Sequence, residues 1–254
     1  MNIVGLQWNP VWQDTQANLQ ALNSALESLF EKIDSDIDVV VLPEVFLSGF
    51  SMQPSLFAEE LGGAAIQTLK SYAQLYNCYL IAGVATQTNE QVFNSALVIS
   101  PLGELQANYQ KQKLFSYADE HKSYEAGKTP VIFKINETNC AVFVCYDLRF
   151  PELFRQVAKD VEVMFVIASW PESRQSHWEA LLKARAIENQ CFIVGVNRIG
   201  TDGNNWQYAG GSMIVSPLGE QLAYGGKTDQ QINAIIEPEE TLQVRQQFPF
   251  LMDM

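Results

Sequence analysis

Cys145 is the residue whose surroundings best suit covalent chemistry. The apolar run from Cys140 to Val144 predicts a buried strand, and residues 147–151 predict a turn that opens a helix. A cysteine on such an elbow holds its thiol at the rim of a sheet, near backbone N–H groups that stabilise a thiolate and an oxyanion. A cysteine in an apolar strand is more often a small buried hydrophobe, so other residues must decide between the two interpretations.

Two charged residues at the ends of predicted strands supply the groups that a thiol nucleophile needs. Glu44 follows Pro43 at the end of a buried strand, where its carboxylate is paired, faces solvent, or is held at a raised pKa as a general base. Lys111 follows a hairpin strand, where an ammonium group can stabilise an oxyanion. Each has an ordinary alternative, because strand-end glutamates and surface lysines are common. Together with Cys145 they favour acyl transfer, in which the thiol attacks a carbonyl, ammonia or an amine leaves, and water releases the acid.

Histidine and cysteine usage argues against two other kinds of site. The chain has two histidines, His121 and His177, and His121 lies in a predicted loop beside Glu120, where we expect a surface or orienting role. The four cysteines form no CxxC pair and lack metal-ligand spacing. We therefore expect no metal site, no cofactor and no disulfide framework.

The predicted secondary structure places the chemical residues at strand ends. Hydrophobic patterning predicts a helix with apolar residues from Leu19 to Ile33, a second helix from Ile66 to Tyr76, and a hairpin that turns at Gly103. It also predicts a helix over residues 151–159. The remaining patterns are typical of strands, at residues 3–7, 38–43, 78–84, 140–145, 163–171 and 191–196.

The order of these elements repeats, which indicates an internal duplication. N-C-Y-L-I-A-G-V matches Q-C-F-I-V-G-V, with Cys191 minus Cys78 giving 113, and I-S-P-L-G-E matches V-S-P-L-G-E, with Pro217 minus Pro101 giving 116. Two copies of this kind predict an α/β fold, a four-layer α-β-β-α sandwich built from two duplicated halves, with the active site where the strand ends of the halves meet. No Pro/Gly/Ser-rich linker divides the chain, so we expect residues 1–254 to form a single domain rather than two.

Composition limits the partners and the compartment. The 254 residues carry 29 acidic and 16 basic side chains, a net charge of −13 that would repel a polyphosphate backbone, so we expect no nucleic-acid partner. No apolar run reaches the roughly 18 residues that would predict a membrane span. The first residues read as a strand and a turn rather than a signal peptide. We therefore expect a cytoplasmic protein without a membrane partner.

A family resemblance extends over nearly the whole chain. The chain resembles the nitrilase superfamily of carbon–nitrogen hydrolases, and within it the omega-amidase branch. The segments that carry the resemblance are L-P-E at 42–44, Y-Q-K-Q-K-L-F at 109–115, E-H-K-S-Y-E-A-G at 120–127, C-Y-D-L-R-F-P-E at 145–152, A-S-W-P at 168–171, A-R-A-I-E-N-Q at 184–190 and G-G-S-M-I-V-S-P-L-G-E at 210–220.

The resemblance implies a role for four residues. Glu44 is implied as the general base, Lys111 as the lysine that stabilises the oxyanion, Cys145 as the nucleophile, and Glu120 as a second carboxylate that orients the site. The family spacing favours Lys111 over Lys113, although both lysines lie close to the hairpin end.

Neighbouring residues have less specific predicted roles. Tyr146 is expected to contribute its backbone N–H to an oxyanion hole, and Ser169 and Trp170 either line a substrate pocket or pack in the core. Three charged residues after the nucleophile are expected to form a local ion-pair and capping network rather than to contact substrate. They are Asp147, Arg149 and Glu152.

The resemblance also implies a substrate class. The expected function is hydrolysis of a small amide that carries a carboxylate, such as the omega-amide of a 2-oxo acid, with ammonia as a product. The alternatives are a carbamoylase, a nitrilase, or a binding protein that has kept the fold without catalysis. The resemblance further implies a homodimer, and the apolar tail F-P-F-L-M-D-M is suited to pack on a partner or back onto the domain.

Overall fold

The computed structural model describes residues 1–32, 36–228 and 230–254. Ile33, which the sequence pattern assigns to the first helix, lies outside these residues. In chain order the strands are β1 (Asn2–Leu6), β2 (Val39–Val41), β3 (Tyr79–Thr88), β4 (Gln91–Ile99), β5 (Leu105–Gln110), β6 (Ile132–Ile135), β7 (Thr138–Val144), β8 (Val163–Ala168), β9 (Phe192–Asn197), β10 (Ile199–Thr201), β11 (Gln207–Ala209), β12 (Ser212–Val215), β13 (Gln221–Gly225) and β14 (Gln231–Ile235).

The α-helices lie between these strands and after them. They are α1 (Thr15–Lys32), α2 (Ala64–Leu75), α3 (Pro151–Arg155), α4 (Gln175–Asn189) and α5 (Glu240–Gln247). Short 3-10 helices occur at Pro54–Leu56, Ser116–Ala118, Glu120–Lys122, Cys145–Arg149, Glu172–Arg174 and Phe250–Asp253. Among the described helices, none is both long enough and apolar enough to cross a bilayer.

The strands form two six-stranded sheets, one from β1 to β5 with β14 and the other from β6 to β9 with β12 and β13. The strand orders are β14-β1-β2-β3-β4-β5 and β13-β12-β9-β8-β7-β6. In both sheets the central three strands, β1-β2-β3 and β7-β8-β9, are parallel, and the flanking pairs are antiparallel. The last strand, β14, joins the first sheet beside β1, so the two ends of the chain meet in one sheet.

The side chains of β2 show how the layers stack. Val39 and Val41 belong to the apolar cluster shared with the second sheet, whereas Val40 packs in the cluster that contains the buried faces of α1 and α2. Successive strand residues point to opposite faces, so the first sheet has the second sheet on one side and helices on the other. The second sheet is covered by α3 and α4 through Phe154, Trp178 and other residues. The predicted four-layer α-β-β-α sandwich is therefore confirmed.

Three predicted elements are longer than those observed. The strand predicted at 163–171 ends at Ala168. The strand predicted at 38–43 is limited to Val39–Val41, because the chain turns away at Pro43, which has no N–H for a sheet ladder. The helix predicted over 151–159 ends at Arg155. Beyond it the backbone bonds join residues three apart, as in Ala158 N–H to Arg155 C=O and Asp160 N–H to Val157 C=O, which is the pattern of consecutive turns.

Candidate active site

Glu44 is placed by a sharp turn after β2. Val45 adopts a left-handed backbone with φ of 41°, which is unusual for a β-branched residue. The turn packs directly on β3, where Gly83 leaves room for it, because a Cβ at Gly83 would lie 2.4 Å from the carbonyl oxygen of Pro43. A hydrogen bond from Phe46 N–H to Gly83 C=O (2.9 Å) closes the turn. The side chain of Glu44 is thereby directed inward and is fully buried.

Lys111 lies one residue beyond β5 and reaches the same interior position. Its Nζ donates to Glu44 Oε1 at 2.8 Å and to both carboxylate oxygens of Glu120 at 2.9 Å. All three side chains have no solvent exposure. The structure therefore brings together three of the residues that the sequence identified, as an ammonium between two carboxylates.

Glu120 enters from the 3-10 helix Glu120–Lys122, and its position is fixed by several donors. The backbone N–H of Phe115 donates to Glu120 Oε2 at 2.6 Å. The side-chain amide of Asn94 donates to Glu44 Oε1 at 2.7 Å and to Glu120 Oε1 at 2.9 Å. Sequence reasoning missed Asn94, although an amide within the apolar strand β4 was a usable signal, because buried polar groups require partners.

Cys145 sits on the elbow that the sequence predicted. It follows β7 directly, begins the 3-10 helix Cys145–Arg149 and has φ of 46°. A left-handed backbone at a residue other than glycine stores strain, and such strain is concentrated at functional positions. The strained elbow thus holds the thiol in one orientation relative to the neighbouring strand ends.

The buried carboxylate of Asp147 holds the elbow in shape. Its oxygens accept hydrogen bonds from the hydroxyl of Tyr109 (2.8 Å) and from the backbone N–H groups of Lys113 (2.8 Å) and Val144 (3.0 Å). Burial raises the pKa of Asp147 to about 6. This carboxylate connects the end of β5 to the end of β7, and so relates Lys111 to Cys145.

The electrostatics of the site favour a neutral thiol at rest. Burial, followed by the negative charge of Glu44, raises the pKa of Cys145 well above its ordinary value, against the opposing effect of Lys111. Burial acts to lower the pKa of Lys111, but the carboxylates of Glu120 and Glu44 outweigh it and raise that pKa. A protonated thiol requires a base before it can attack, and the lysine is held as an ammonium ion.

The thiol faces a cavity whose walls are mainly aromatic. Cys145 and Lys111 lie on its floor, and the remaining lining residues are Phe50, Phe115, Tyr146, Arg149, Ser169, Trp170, Pro171, Arg174 and Trp206. The cavity adjoins a wider outer hollow, and Pro171, Arg174 and Trp206 line both. This geometry suits a small substrate that enters from the outer hollow and presents one end to the thiol.

The three predicted pocket residues all lie at this cavity. The backbone N–H of Ser169 donates to Glu44 Oε2 at 2.7 Å, so Ser169 also helps to hold the carboxylate. The ring of Trp170 packs 5.6 Å from that of Trp178, between centroids. The ring centroid of Tyr146 lies 5.0 Å from that of Phe115. The backbone N–H of Tyr146 lies in the first turn of the 3-10 helix Cys145–Arg149.

The capping expected after Cys145 is confirmed, because Asp147 accepts from the Val144 N–H at the start of the 3-10 helix. The expected ion pairs were wrong, because among the described residues none joins Asp147, Arg149 or Glu152 to a charged partner. Asp147 is satisfied by uncharged donors, and Arg149 lies at the cavity, with its guanidinium carbon 4.6 Å from the centroid of the Trp170 ring. Glu152 is exposed. The 3-10 helix Cys145–Arg149 places Arg149 at the cavity rather than against Asp147, which sequence spacing alone did not indicate.

The structure also separates the two candidate lysines and places the histidine. Lys113 is partly exposed, and its Nζ lies over the ring of Phe150 at 4.9 Å, whereas Lys111 is enclosed. His121 is exposed beside Glu120, as expected for a residue with no part in a cysteine–histidine pair. Of the other lining residues, Arg174 and Trp206 were missed, because they lie in segments that sequence patterns could not place near the thiol.

Comparison with known proteins gives consistent matches over the whole chain. The chain is 37% identical to omega-amidase YafV of Escherichia coli (strain K12), covering 100% of this chain and 96% of that protein. It is 36% identical to 2-oxoglutaramate amidase of Bacillus subtilis (strain 168), covering 90% of this chain and 89% of that protein.

A solved structure extends the match to three dimensions. A CN-hydrolase superfamily protein from Xanthomonas campestris, described with an arsenic adduct in its active site, is 32% identical and has a TM-score of 0.93, covering 100% of this chain and 97% of that one. The family model for carbon–nitrogen hydrolases matches residues 3–246. With the enclosed Glu44–Lys111–Glu120 group and the thiol at a strained elbow, these matches establish that the chain belongs to the carbon–nitrogen hydrolase family.

Proposed function

We propose that this protein is an amidase that hydrolyses the omega-amide of a short 2-oxo dicarboxylic acid, with 2-oxoglutaramate as the representative substrate. The observation that carries the proposal is the buried ammonium of Lys111 between Glu44 and Glu120, at the floor of a cavity that also exposes Cys145. The relatives named omega-amidase and 2-oxoglutaramate amidase support the substrate class.

In the proposed acylation, Glu44 is the general base. Because the pKa of Cys145 is raised, its proton must move to Glu44 as Sγ forms a bond to the amide carbonyl carbon. The carbonyl electron pair moves to oxygen to give a tetrahedral intermediate. When this collapses, the C–N bond breaks, the proton on Glu44 passes to the leaving nitrogen, and ammonia departs from a thioester on Cys145.

Two donors are available for the negative oxygen of the intermediate. The ammonium of Lys111 is fixed by two carboxylates, and the backbone N–H of Tyr146 lies in the first turn of a helix, where N–H groups lack helical partners. Donors that are held in place before the reaction stabilise developing charge without reorganisation. We assign the oxyanion hole to these two groups.

Deacylation uses the same groups in reverse. Water attacks the thioester carbon while Glu44 accepts one of its protons, and that proton is returned to Sγ as the C–S bond breaks. The carboxylic acid product is released and the thiol is restored. Glu120 contacts no reacting atom in this scheme and positions Lys111 through the two hydrogen bonds that it accepts from Nζ.

The test is ammonia release from a panel of substrates. The panel contains 2-oxoglutaramate, 2-oxosuccinamate, glutamine, asparagine, an N-carbamoyl amino acid and an aliphatic nitrile. We expect the 2-oxo amides to have the highest kcat/KM. If glutamine matches or exceeds 2-oxoglutaramate, the substrate assignment is wrong; carbon dioxide release would indicate a carbamoylase, and turnover of the nitrile a nitrilase.

The nucleophile is tested by Cys145→Ala. This change removes the reacting sulfur and little buried volume, so we expect turnover to be abolished while the thermal unfolding profile is retained. Ammonia release close to that of the wild type would contradict the proposed chemistry. If the wild type and the variant alike turn over no substrate of the panel, a binding protein would instead be favoured.

We also propose that residues 1–254 act as one domain, as a homodimer in the cytoplasm. Four cysteines with free thiols suit a reducing compartment.

The proposed dimer would cover an apolar part of the C-terminal segment. Leu251 is buried, whereas Phe250, Met252 and Met254 are exposed, and a second copy of the chain would cover them. Sedimentation of the wild type against a variant truncated after Phe248 tests the dimer, because the truncated chain should sediment as a monomer.

A further inference from the structure

Two arginines at the cavity have no acidic partner among the described residues. Arg149 and Arg174 both line it, and neither takes part in an ion pair with any described carboxylate. The side-chain contact of Arg149 is with His177, whose Nδ1 lies 3.2 Å from Nη2. The chain has a net charge of −13, yet no described carboxylate lies within ion-pair distance of either guanidinium group.

The other four arginines each donate to oxygen acceptors of the protein, although Arg185 Nε and Arg198 Nη1 are buried without a partner. Arg185 forms an ion pair with Glu188 at 2.9 Å. Arg245 donates to the backbone carbonyl groups of Ala158 and Val161 at 2.7 and 2.8 Å. By contrast, among the described residues the only side-chain hydrogen bond of the two cavity arginines is the one between Arg149 and His177.

Aromatic faces hold both cavity arginines. The guanidinium carbon of Arg149 lies 4.6 Å from the Trp170 ring centroid, and that of Arg174 lies 5.5 Å from the Phe115 ring centroid. Stacking uses the planar face of a guanidinium group and leaves the N–H edge available for a carboxylate. Burial and the charge of Arg174 both lower the pKa of Arg149, which reflects two like charges close together.

We propose that Arg149 and Arg174 bind the carboxylate of the substrate and thereby select 2-oxo acids over 2-amino acids. This inference rests on the proposed function and names the residues that recognise the end of the substrate remote from the amide. Guanidinium groups match a carboxylate through paired N–H donors. The ammonium of glutamine would lie next to two uncompensated cations, whereas the 2-oxo group carries no charge, so the pair attracts one substrate and repels the other.

The two arginines have different positions along the entry route. Arg149 lines the inner cavity, whereas Arg174 lines both the cavity and the outer hollow. Arg174 is therefore placed to meet the anion first, and its contribution to association is expected to weaken as ionic strength rises. Arg149, on the same short helix as Cys145, sets the position of the bound carboxylate relative to the thiol.

The experiment compares Arg149→Gln and Arg174→Gln on 2-oxoglutaramate, glutamine and the neutral amide pentanamide. For each variant we expect KM for 2-oxoglutaramate to rise about 10- to 100-fold, as the loss of a charge-assisted hydrogen bond predicts. Pentanamide has no carboxylate, so its kcat/KM should stay within about threefold, and the preference for 2-oxoglutaramate over glutamine should fall. Arg174→Lys, which keeps the positive charge, should have a KM for 2-oxoglutaramate between those of the wild type and Arg174→Gln.

Lys227→Gln is the matched control. Lys227 is an exposed cation that pairs with Glu172 at 3.0 Å. Glu172 lies two residues before Arg174 in the chain, whereas Lys227 itself lines neither the cavity nor the outer hollow. Its loss should leave KM unchanged for all three amides. An increase in KM equal to that of Arg174→Gln would mean that general positive charge, and not this pair, attracts the substrate, and would overturn the inference.

Binding of 2-oxopentanoate, measured by calorimetry, separates this inference from the proposed function. This ligand has the 2-oxo acid end and no amide. If the wild type binds it and both glutamine variants lose binding, the carboxylate site is supported even if no amide is hydrolysed and the proposed function fails. The opposite result is that the wild type hydrolyses 2-oxoglutaramate but the variants keep the wild-type KM for it, or lose pentanamide turnover as much as 2-oxoglutaramate turnover. In that case the inference is wrong and the amidase function stands.

Discussion

Lys111 and Lys227 occupy the same place in the two halves of the molecule and have opposite environments. Pro101 and Pro217, in the turns of the two equivalent hairpins, are separated by 116 residues, and Lys227 minus Lys111 also gives 116. Lys111 has no exposed side-chain surface and lies between Glu44 and Glu120, whereas the side chain of Lys227 is 59% exposed and pairs with Glu172, itself 37% exposed.

The difference lies in what covers the end of the hairpin. After β5 the chain continues through the 3-10 helices Ser116–Ala118 and Glu120–Lys122, which enclose Lys111 and supply its second carboxylate. The equivalent end after β13 remains at the surface. An exposed ion pair contributes about 0 to 1 kcal/mol to stability. Removing one partner of an enclosed ion pair, by contrast, strongly destabilises the fold, because the other charge is left buried and unpaired. The same position is therefore enclosed in one half of the molecule and solvated in the other.

The sharpest way to break this comparison is to remove each lysine. Lys111→Ala should lower turnover of 2-oxoglutaramate by about 10²-fold or more, as loss of an oxyanion donor does. It should also destabilise the fold by about 3–5 kcal/mol, because two buried carboxylates are left without their cation. Lys227→Ala should leave both properties close to wild type. Steady-state kinetics and urea unfolding measure the two effects.

Lys113→Ala is the control for local charge. Lys113 is two residues from Lys111, but its side chain lies over the ring of Phe150 and forms no ion pair with a described carboxylate. Turnover should therefore fall by no more than about threefold, in keeping with a single cation–π contact of about 0.5–1 kcal/mol. If Lys113→Ala has the larger effect, the assignment of the oxyanion lysine is reversed.

The glutamate partners extend the comparison. Glu120→Gln should lower kcat by about 10²-fold, with a smaller change in KM. An NH2 group replaces one carboxylate oxygen and cannot accept from Lys111 Nζ or from the second donor at that position, Phe115 N–H or Asn94, so the ammonium is displaced. Glu172→Gln, which breaks the exposed pair, should have no measurable effect on kcat. A loss confined to KM in Glu120→Gln would show that Glu120 binds substrate instead of positioning Lys111.

The cysteines provide a third comparison between equivalent and unique positions. Cys78 and Cys191 are equivalents, 113 residues apart and fully buried before β3 and β9, whereas Cys145 is 9% exposed and faces the cavity. Burial raises the pKa of both Cys78 and Cys191 to about 12. We expect iodoacetamide to alkylate Cys145 first in the native protein. Peptide mapping of the alkylated protein measures how fast each cysteine is labelled. Labelling of Cys78 or Cys191 at the same rate would contradict this.

The raised pKa of Cys145 makes its alkylation depend on pH. The thiolate fraction of a thiol whose pKa lies above the measured range rises about tenfold per pH unit. The rate of inactivation by iodoacetamide should therefore increase from about pH 6 to about pH 9 without reaching a plateau. A plateau near neutral pH would show a resting thiolate paired with Lys111, and Glu44 would then not be needed as the base for acylation.

The smallest expected effect concerns a feature that the halves share. Gly103 and Gly219 have φ of 74° and 87° in equivalent hairpin turns. In each turn a serine hydroxyl also accepts backbone N–H groups, Ser100 from Glu104 N–H and Ser216 from Glu220 N–H. Gly103→Ala and Gly219→Ala should each cost about 1–2 kcal/mol of unfolding free energy, without a change in KM. Unequal costs would show that the neighbouring side chains, and not the backbone, set the requirement for glycine.

Much of the fold was predictable because its signals are local. Alternating and continuous apolar runs identified most of β1, β3, β7 and β9, and the repeated S-P-L-G-E turns identified two equivalent hairpins. The limits of α3 and β2 were wrong because a helix or strand ends where its backbone partners end, and those partners come from other segments. At the site, Cys145, Glu44 and Lys111 were identified by their strand-end positions together with family resemblance, but Asn94, Arg174 and Trp206 were not.

The sequence by itself determined the duplicated order of strands, the elbow that carries Cys145 and, with the family resemblance, the candidate base, oxyanion lysine and nucleophile. Each of these depends on short segments that can be identified from the sequence alone. Only the tertiary structure decided that Lys111 is enclosed while Lys113 and Lys227 are not, and that Arg149 turns to the cavity instead of pairing with Asp147. Burial and charge pairing are sums over neighbours that are distant in sequence. Identical residue types at equivalent positions can therefore differ completely in what they do.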